Sequence, residues 1–265
     1  MSAETKTGAS DTEGAMWKVT TPLDWSDLVL DAAVLGDVQD IATWVQHRDP
    51  LMKDWKLAGR VTPGYCSLFL GPPGTGKALV ALLIGKTTGH DVYRVDLARM
   101  IGETLAETAK NAGALYERAQ NENAILWFDA VDALPGNGNG AGERAANQQI
   151  AYLLQRAEDF PVVVIVTSNL AELTDEAFAR RFQSVIHFKM PTAEERERLW
   201  RDALAGVPMA DDLDLKKLAR DYELSGGDIV AALRMACLQA LRRDPQKVTM
   251  ADLETAVKRR PLAAG

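Results

Sequence analysis

Positive charge is in the minority: 30 Lys and Arg stand against 37 Asp and Glu, a formal net charge of -7. Binding a phosphate backbone needs a basic face, so nucleic acid is disfavoured as a partner. Cysteine is scarce. Cys66 and Cys237 lie far apart in apolar surroundings, which suits two reduced core thiols better than a disulfide. The three histidines, His47, His90 and His187, lack metal-ligand spacing, which speaks against zinc. No apolar run approaches about 18 residues, and the first residues lack the basic-then-apolar pattern of a secretion signal. No membrane partner is expected, and the cytoplasm is the expected compartment. No Ser/His/Asp or Cys/His arrangement stands out as nucleophilic machinery.

What remains is an ordinary globular composition, 47% hydrophobic and 25% charged over 265 residues, enough for one large domain and a small one. Residues 1–20 are polar and small, so a disordered tail is expected there. From Trp25 onward, apolar residues at three-and-four spacing suggest a helix leading into the core. Five β-branched-rich runs follow: GYCSLFL (64–70), DVYRVDL (91–97), AILWFDA (124–130), PVVVIVTSN (161–169) and SVIHFKM (184–190). Helix-like or loop segments separate them, so the expected fold class is α/β, a mostly parallel five-stranded sheet flanked by helices, over residues 21–191. After Pro191 the strand signals stop. Thr192 and Glu195 form a capping box, and Ile229, Leu233, Cys237 and Leu241 recur every four residues, so residues 192–265 are expected to form a small all-helical module. The stretch PGNGNGAG (135–142) reads as a flexible loop.

Gly71-Pro72-Pro73-Gly74-Thr75-Gly76-Lys77 lies between a predicted strand and the helical run ALVALLIGK. In that context glycines let backbone N–H groups turn inward around phosphate oxygens, the helix N-terminus adds partial positive charge, and lysine reaches the β and γ phosphates. ATP or ADP is the expected ligand. Two residues are missing from the usual set. Ala78 stands where a hydroxyl normally ligates Mg²⁺, a loss that weakens the metal site without forbidding it. Ile125–Asp129 is an apolar strand ending in a carboxylate, Asp129, suited to holding Mg²⁺, but Ala130 occupies the place of the glutamate that polarises the attacking water. General-base assistance contributes about 10²–10⁴-fold, so hydrolysis should be slow. Strand alternation and a short reach argue against rescue by Asp132.

GPPGTGK, ILWFDAVDAL, VVVIVTSN and DEAFARRF, in this order and spacing, resemble the AAA+ ATPase superfamily over about residues 24–262. PGYCSLFLGPPGTGK, VYRVDL, ANQQIAYLLQRAED and RRFQSVIHFKMP resemble, more narrowly, the AAA+ ATPases encoded with phage-tail-like contractile injection systems. The resemblance implies a P-loop NTPase sheet with a helical lid. It makes Asn169 the residue that orients water near the γ-phosphate and puts Gly227, in Ser225-Gly226-Gly227-Asp228, on the lid helix beside base and ribose. Arg180 and Arg181 become arginine fingers reaching a neighbour's nucleotide, which implies a head-to-tail homo-oligomeric ring, a hexamer. The pore segment departs from the family. Where the family carries an aromatic before IGET, this chain has Met100, or Thr104 if counted without gaps.

The expected function is thus an ATP-binding ring protein with impaired or absent hydrolysis, acting in assembly, remodelling or cargo handling of an injection-type complex. The alternatives are an active ATPase completed by compensating residues or partner subunits, a nucleotide-independent scaffold, and a variant whose two alanines were introduced to trap nucleotide.

Overall fold

The computed structural model describes residues 14–129, 141–170 and 176–259. These divide into two compact units, one drawn from Met1–Pro22, Ala33–Leu70 and Ala78–His187, the other from Leu23–Ala32, Gly71–Lys77 and Phe188–Gly265.

The first unit is built on a sheet of β1 (Met16–Val19), β2 (Tyr65–Leu70), β3 (Val92–Val95), β4 (Ile125–Phe128), β5 (Val163–Ser168) and β6 (Ser184–His187), in the order β1-β3-β4-β5-β2-β6. All pairs are parallel except β1 with β3. The sheet therefore has six strands, one more than the sequence predicts. The extra strand comes from the segment assigned to a disordered tail: Met16–Val19 pairs with β3 and buries Met16, while residues 1–13 lie outside the described set. The central strands β2, β4 and β5 are buried on both faces, as their unbroken apolar runs require.

Helices α1 (Ala32–Lys53), α2 (Lys77–Thr88), α3 (Leu97–Met100), α4 (Leu105–Asn121), α5 (Ala141–Ala157) and α6 (Glu176–Ala179) intervene between strands. On α1 the buried residues are Val34, Val38 and Ile41, the stripe expected of a core-facing helix. Thr104 and Glu107 close a capping box at the start of α4, which turns Ala112, Leu115, Tyr116 and Ala119 inward. These pack with Leu68, Leu70, Leu126, Phe128, Val164 and Val166 from one sheet face and with Ile150, Leu153 and Leu154 of α5. Met100 belongs to the same core and is fully buried, and Thr104 is a helix cap. Met100 is thus no exposed grip, and Thr104, though exposed, is committed to capping α4. Residues 135–140 of the predicted flexible loop lie outside the described residues, and 141–142 open α5.

The second unit holds α7 (Ala193–Ala203), α8 (Leu215–Asp221), α9 (Gly226–Ala240) and α10 (Met250–Lys258). The Thr192–Glu195 capping box forms as the sequence predicts, and Ser225–Asp228 and Thr249–Asp252 repeat the device. Trp200, Leu204, Leu218, Ile229 and Leu253 make the core. The predicted row on α9 is only partly right. Four residues turn a helix by about 400°, so a strict four-residue repeat drifts about 40° per step. The buried face instead follows Ile229, Ala232, Ala236 and Ala240, and Leu241 ends up 59% exposed. Among the described residues no helix is long and apolar enough to cross a membrane.

Candidate functional site

The chain leaves the carboxyl end of β2 directly into the glycine loop. Three of its residues take φ values that side chains disfavour: Gly71 at 136°, Gly74 at 78° and Gly76 at 102°. At all three space is short as well, although at Gly76 only the end of the Leu28 side chain, 2.9 Å away, stands in the way. A Cβ on Gly71 would sit 2.0 Å from the Phe188 carbonyl oxygen, and one on Gly74 would sit 2.4 Å from Ser225 Oγ. Thr75 Oγ1 donates to the Pro72 carbonyl at 2.8 Å. Lys77, 7% exposed, opens α2 and donates from Nζ to the carbonyls of Gly71 and Pro72, the latter at 2.8 Å. The ammonium is thereby held at the loop's own turn. Pro73 is exposed, and Ala78, partly buried in the first turn of α2, brings no hydroxyl.

Gly227 meets this loop. Its N–H donates to the Gly74 carbonyl at 3.0 Å, and a Cβ on Gly227 would lie 3.0 Å from Gly74 Cα. Ser225 caps α9 by accepting from the Asp228 N–H at 3.2 Å and donating to its carboxylate at 2.7 Å. The loop glycines and the start of α9 thus form one cradle in which only residues without side chains fit. A phosphate suits it: the turned backbone, the lysine and the N-terminus of a 12-residue helix all favour an anion.

Asp129 lies one residue beyond β4. Pairing of Phe128 with Val166 puts it level with Thr167 of β5, whose hydroxyl donates to Asp129 Oδ1 at 3.1 Å. The other carboxylate oxygen is bonded to Arg94 of β3 at 2.7 Å. Arg94 is itself flanked by two indoles, its guanidinium carbon 5.6 Å from the Trp17 ring centre and 5.5 Å from that of Trp127. Trp127 Nε1 donates to Thr167 Oγ1 at 3.2 Å, so the rings and the hydroxyl belong to one network. A resident Mg²⁺ fits this donor set poorly. It would find one carboxylate, already bonded through both oxygens, and no hydroxyl at position 78. Among the described residues no three His, Cys, Asp or Glu side chains gather as a metal site.

Ala130 and Asp132 lie outside the described residues. Asn169 follows β5 directly and is exposed, beside a turn in which the Leu170 N–H donates to Ser168 Oγ at 3.2 Å. Arg180 and Arg181 follow α6. Arg180 is exposed, whereas Arg181 reaches back to the Ala151 carbonyl of α5 at 3.4 Å. Sequence reasoning missed Arg94 and its two tryptophans. The available signal was a charge at the centre of a short strand otherwise destined for the interior.

Residues 67–190 match the model of the ATPase family associated with various cellular activities, AAA, and residues 212–255 match that of the AAA+ lid domain. ATP-dependent zinc metalloprotease FtsH 3 of Sphaerobacter thermophilus is 30% identical over 261 residues, covering 95% of this chain and 52% of the relative. Proteasome-activating nucleotidase of Archaeoglobus fulgidus is 30% identical over 222 residues, 79% of this chain and 56% of the relative. Meiotic spindle formation protein mei-1 of Caenorhabditis elegans is 28% identical over 204 residues, 73% and 43% respectively. The chain spans about half the length of these relatives. Two matched models in the right order, a parallel sheet with a helical C-terminal unit and a glycine cradle between strand and helix together establish that this chain belongs to the AAA+ ATPase family.

Proposed function

We propose that this chain is an ATP- and ADP-binding AAA+ ring protein that turns nucleotide over slowly or not at all. The observation that carries the reading is the contrast between an intact cradle, Gly71–Lys77 with Gly227, and alanines at the two positions that serve cleavage, Ala78 and Ala130. In this reading the loop and Lys77 hold the phosphates, Asp129 is the carboxylate of a weakened Mg²⁺ site, Asn169 orients water, and Arg180 with Arg181 faces a neighbouring subunit. Residues 21–191 serve as the nucleotide-binding part and 192–265 as the lid. A head-to-tail hexamer follows from the arginine pair. The wording around the loop and after the arginines supports a place in assembly, remodelling or cargo handling of a contractile injection-type complex.

Thermal melting with ATP, ADP or neither, with and without Mg²⁺, tests the binding claim. A ligand at 100 times its dissociation constant should stabilise by about 2.7 kcal/mol. Lys77→Ala should abolish the shift. Phosphate release then tests the catalytic claim: slow release that rises in the Ala78→Thr/Ala130→Glu double variant supports it, and brisk release by the unaltered chain refutes it. Two of the relatives named above carry ATP dependence or nucleotidase in their names, which favours an active ATPase as the second reading, and brisk release is its expected result. Sedimentation with and without ATP tests the ring. Co-purification with injection-particle proteins tests the setting.

A further inference from the structure

We infer that Arg94 is a resident counter-cation for Asp129, standing in for the divalent ion, so that nucleotide binding by this chain is nearly independent of magnesium. The inference rests on the proposed nucleotide binding and adds the cation dependence of that site.

The contact follows from strand register. Trp17, Arg94 and Trp127 are cross-strand partners in β1, β3 and β4, so their side chains share one sheet face. Asp129 lies two residues beyond Trp127, which returns it to that face as the diagonal neighbour of Arg94. On strands about 4.8 Å apart, a two-residue offset of about 6.6 Å puts the backbones about 8 Å apart, a span that arginine crosses easily. The guanidinium bonds Asp129 Oδ2 at 2.7 Å, while Thr167 supplies Oδ1 at 3.1 Å.

Three consequences distinguish this arrangement from an ordinary surface ion pair. The guanidinium is walled by indoles on two sides, so cation–π attraction and packing hold it where the carboxylate needs it. Both carboxylate oxygens already accept a hydrogen bond, so each keeps only one lone pair for a metal, and at Oδ2 a metal would sit against the guanidinium's charge. The pair is also charge-neutral, which removes much of the attraction that would draw Mg²⁺ to a lone carboxylate. Ala78 adds to the effect, because it offers the metal no hydroxyl. Arginine is suited to the role since it stays charged and hydrates weakly, whereas a lysine in its place would be a mobile point charge.

The test is titration of the full chain with a fluorescent ADP analogue in EDTA and in excess Mg²⁺, for the unaltered protein, Arg94→Gln and Trp17→Ala. The unaltered protein should bind with dissociation constants that agree within about threefold between the two conditions. Arg94→Gln, which keeps a hydrogen-bonding stem without the charge, should bind about tenfold tighter with Mg²⁺ than without. Trp17→Ala keeps the arginine and removes its outer wall, so its ratio should lie between the two. It carries the test if Arg94→Gln does not fold. A folding role alone would change melting temperature and leave the Mg²⁺/EDTA ratio untouched. Equal ratios in unaltered and variant proteins overturn the inference, as does strong Mg²⁺ dependence of the unaltered chain. Failure of the unaltered chain to bind nucleotide in either condition overturns the proposed function, and this inference with it.

Discussion

Gly74→Ala should couple damage in the phosphate loop to damage at the start of α9, and Gly206→Ala supplies the measure of how much. The two glycines lie in the same unit and have nearly the same backbone, φ 78° and 79°. A left-handed conformation costs an alanine about 1–2 kcal/mol, partly offset by the loss of about 0.4–1 kcal/mol of unfolded-chain freedom. A Cβ at Gly206 meets nothing within 4 Å, so strain alone acts there and a loss of about 1 kcal/mol is expected. At Gly74 the same Cβ falls 2.4 Å from Ser225 Oγ and 3.2 Å from its Cβ. Ser225 is buried and its hydroxyl is committed to Asp228 at both ends. Moving it breaks a helix cap, worth about 1 kcal/mol. Gly74→Ala should therefore cost about 2–3 kcal/mol in urea denaturation followed by circular dichroism. It should also lose most of the stabilisation by ADP, whereas Gly206→Ala should keep it. Equal losses in the two variants, with ADP stabilisation intact in both, would refute the view that loop and helix start form one cradle.

Acid should weaken the helical unit through Asp252. The Arg243 guanidinium donating to it, helped by the backbone and hydroxyl of Thr249, pulls its carboxyl down to about 2 from an ordinary 3.8. The folded value lies below the unfolded one, so this stabilisation is complete above about pH 4 and fades as pH falls toward 2. Because Arg243 is partly exposed, solvent screening limits it to about 1–2 kcal/mol. Asp252→Asn should lower stability at neutral pH and flatten its decline below pH 4; an unchanged slope would contradict the assignment. Cys66 is buried, with its thiol pushed up to about 12 by desolvation, while Cys237 is half-buried. Iodoacetamide at neutral pH should spare Cys66 in the native protein and modify two thiols after unfolding, read by mass spectrometry. Tyr116→Phe removes the hydroxyl that donates to the Leu153 carbonyl at 2.8 Å inside the main core. The stranded carbonyl should cost about 1–2 kcal/mol, read as a lower denaturation midpoint.

What the sequence made legible was local. The runs that became β2, β4 and β5 are unbroken apolar stretches buried on both faces, a pattern with few other stable forms, and GPPGTGK announced its loop because each glycine answers a backbone need of its own. What it hid depends on register. MWKV is too short and too polar to read as a strand until β3 supplies its partner, and then Trp17 becomes one wall of the arginine clamp. On α9 the small alanines that pack the helix give a weaker apolar signal than the larger Leu233 beside them. Asp129 is the instructive case. Its position at the end of an apolar strand marks it as a metal carboxylate, and nothing within ten residues argues otherwise. The argument arrives from Arg94, 35 positions earlier, brought across by a pairing of Arg94 with Trp127 that no periodicity encodes. A carboxylate's chemistry is set as much by the cation opposite as by its own motif. Reading a carboxylate at a strand end therefore requires the neighbouring strand as well as its own motif.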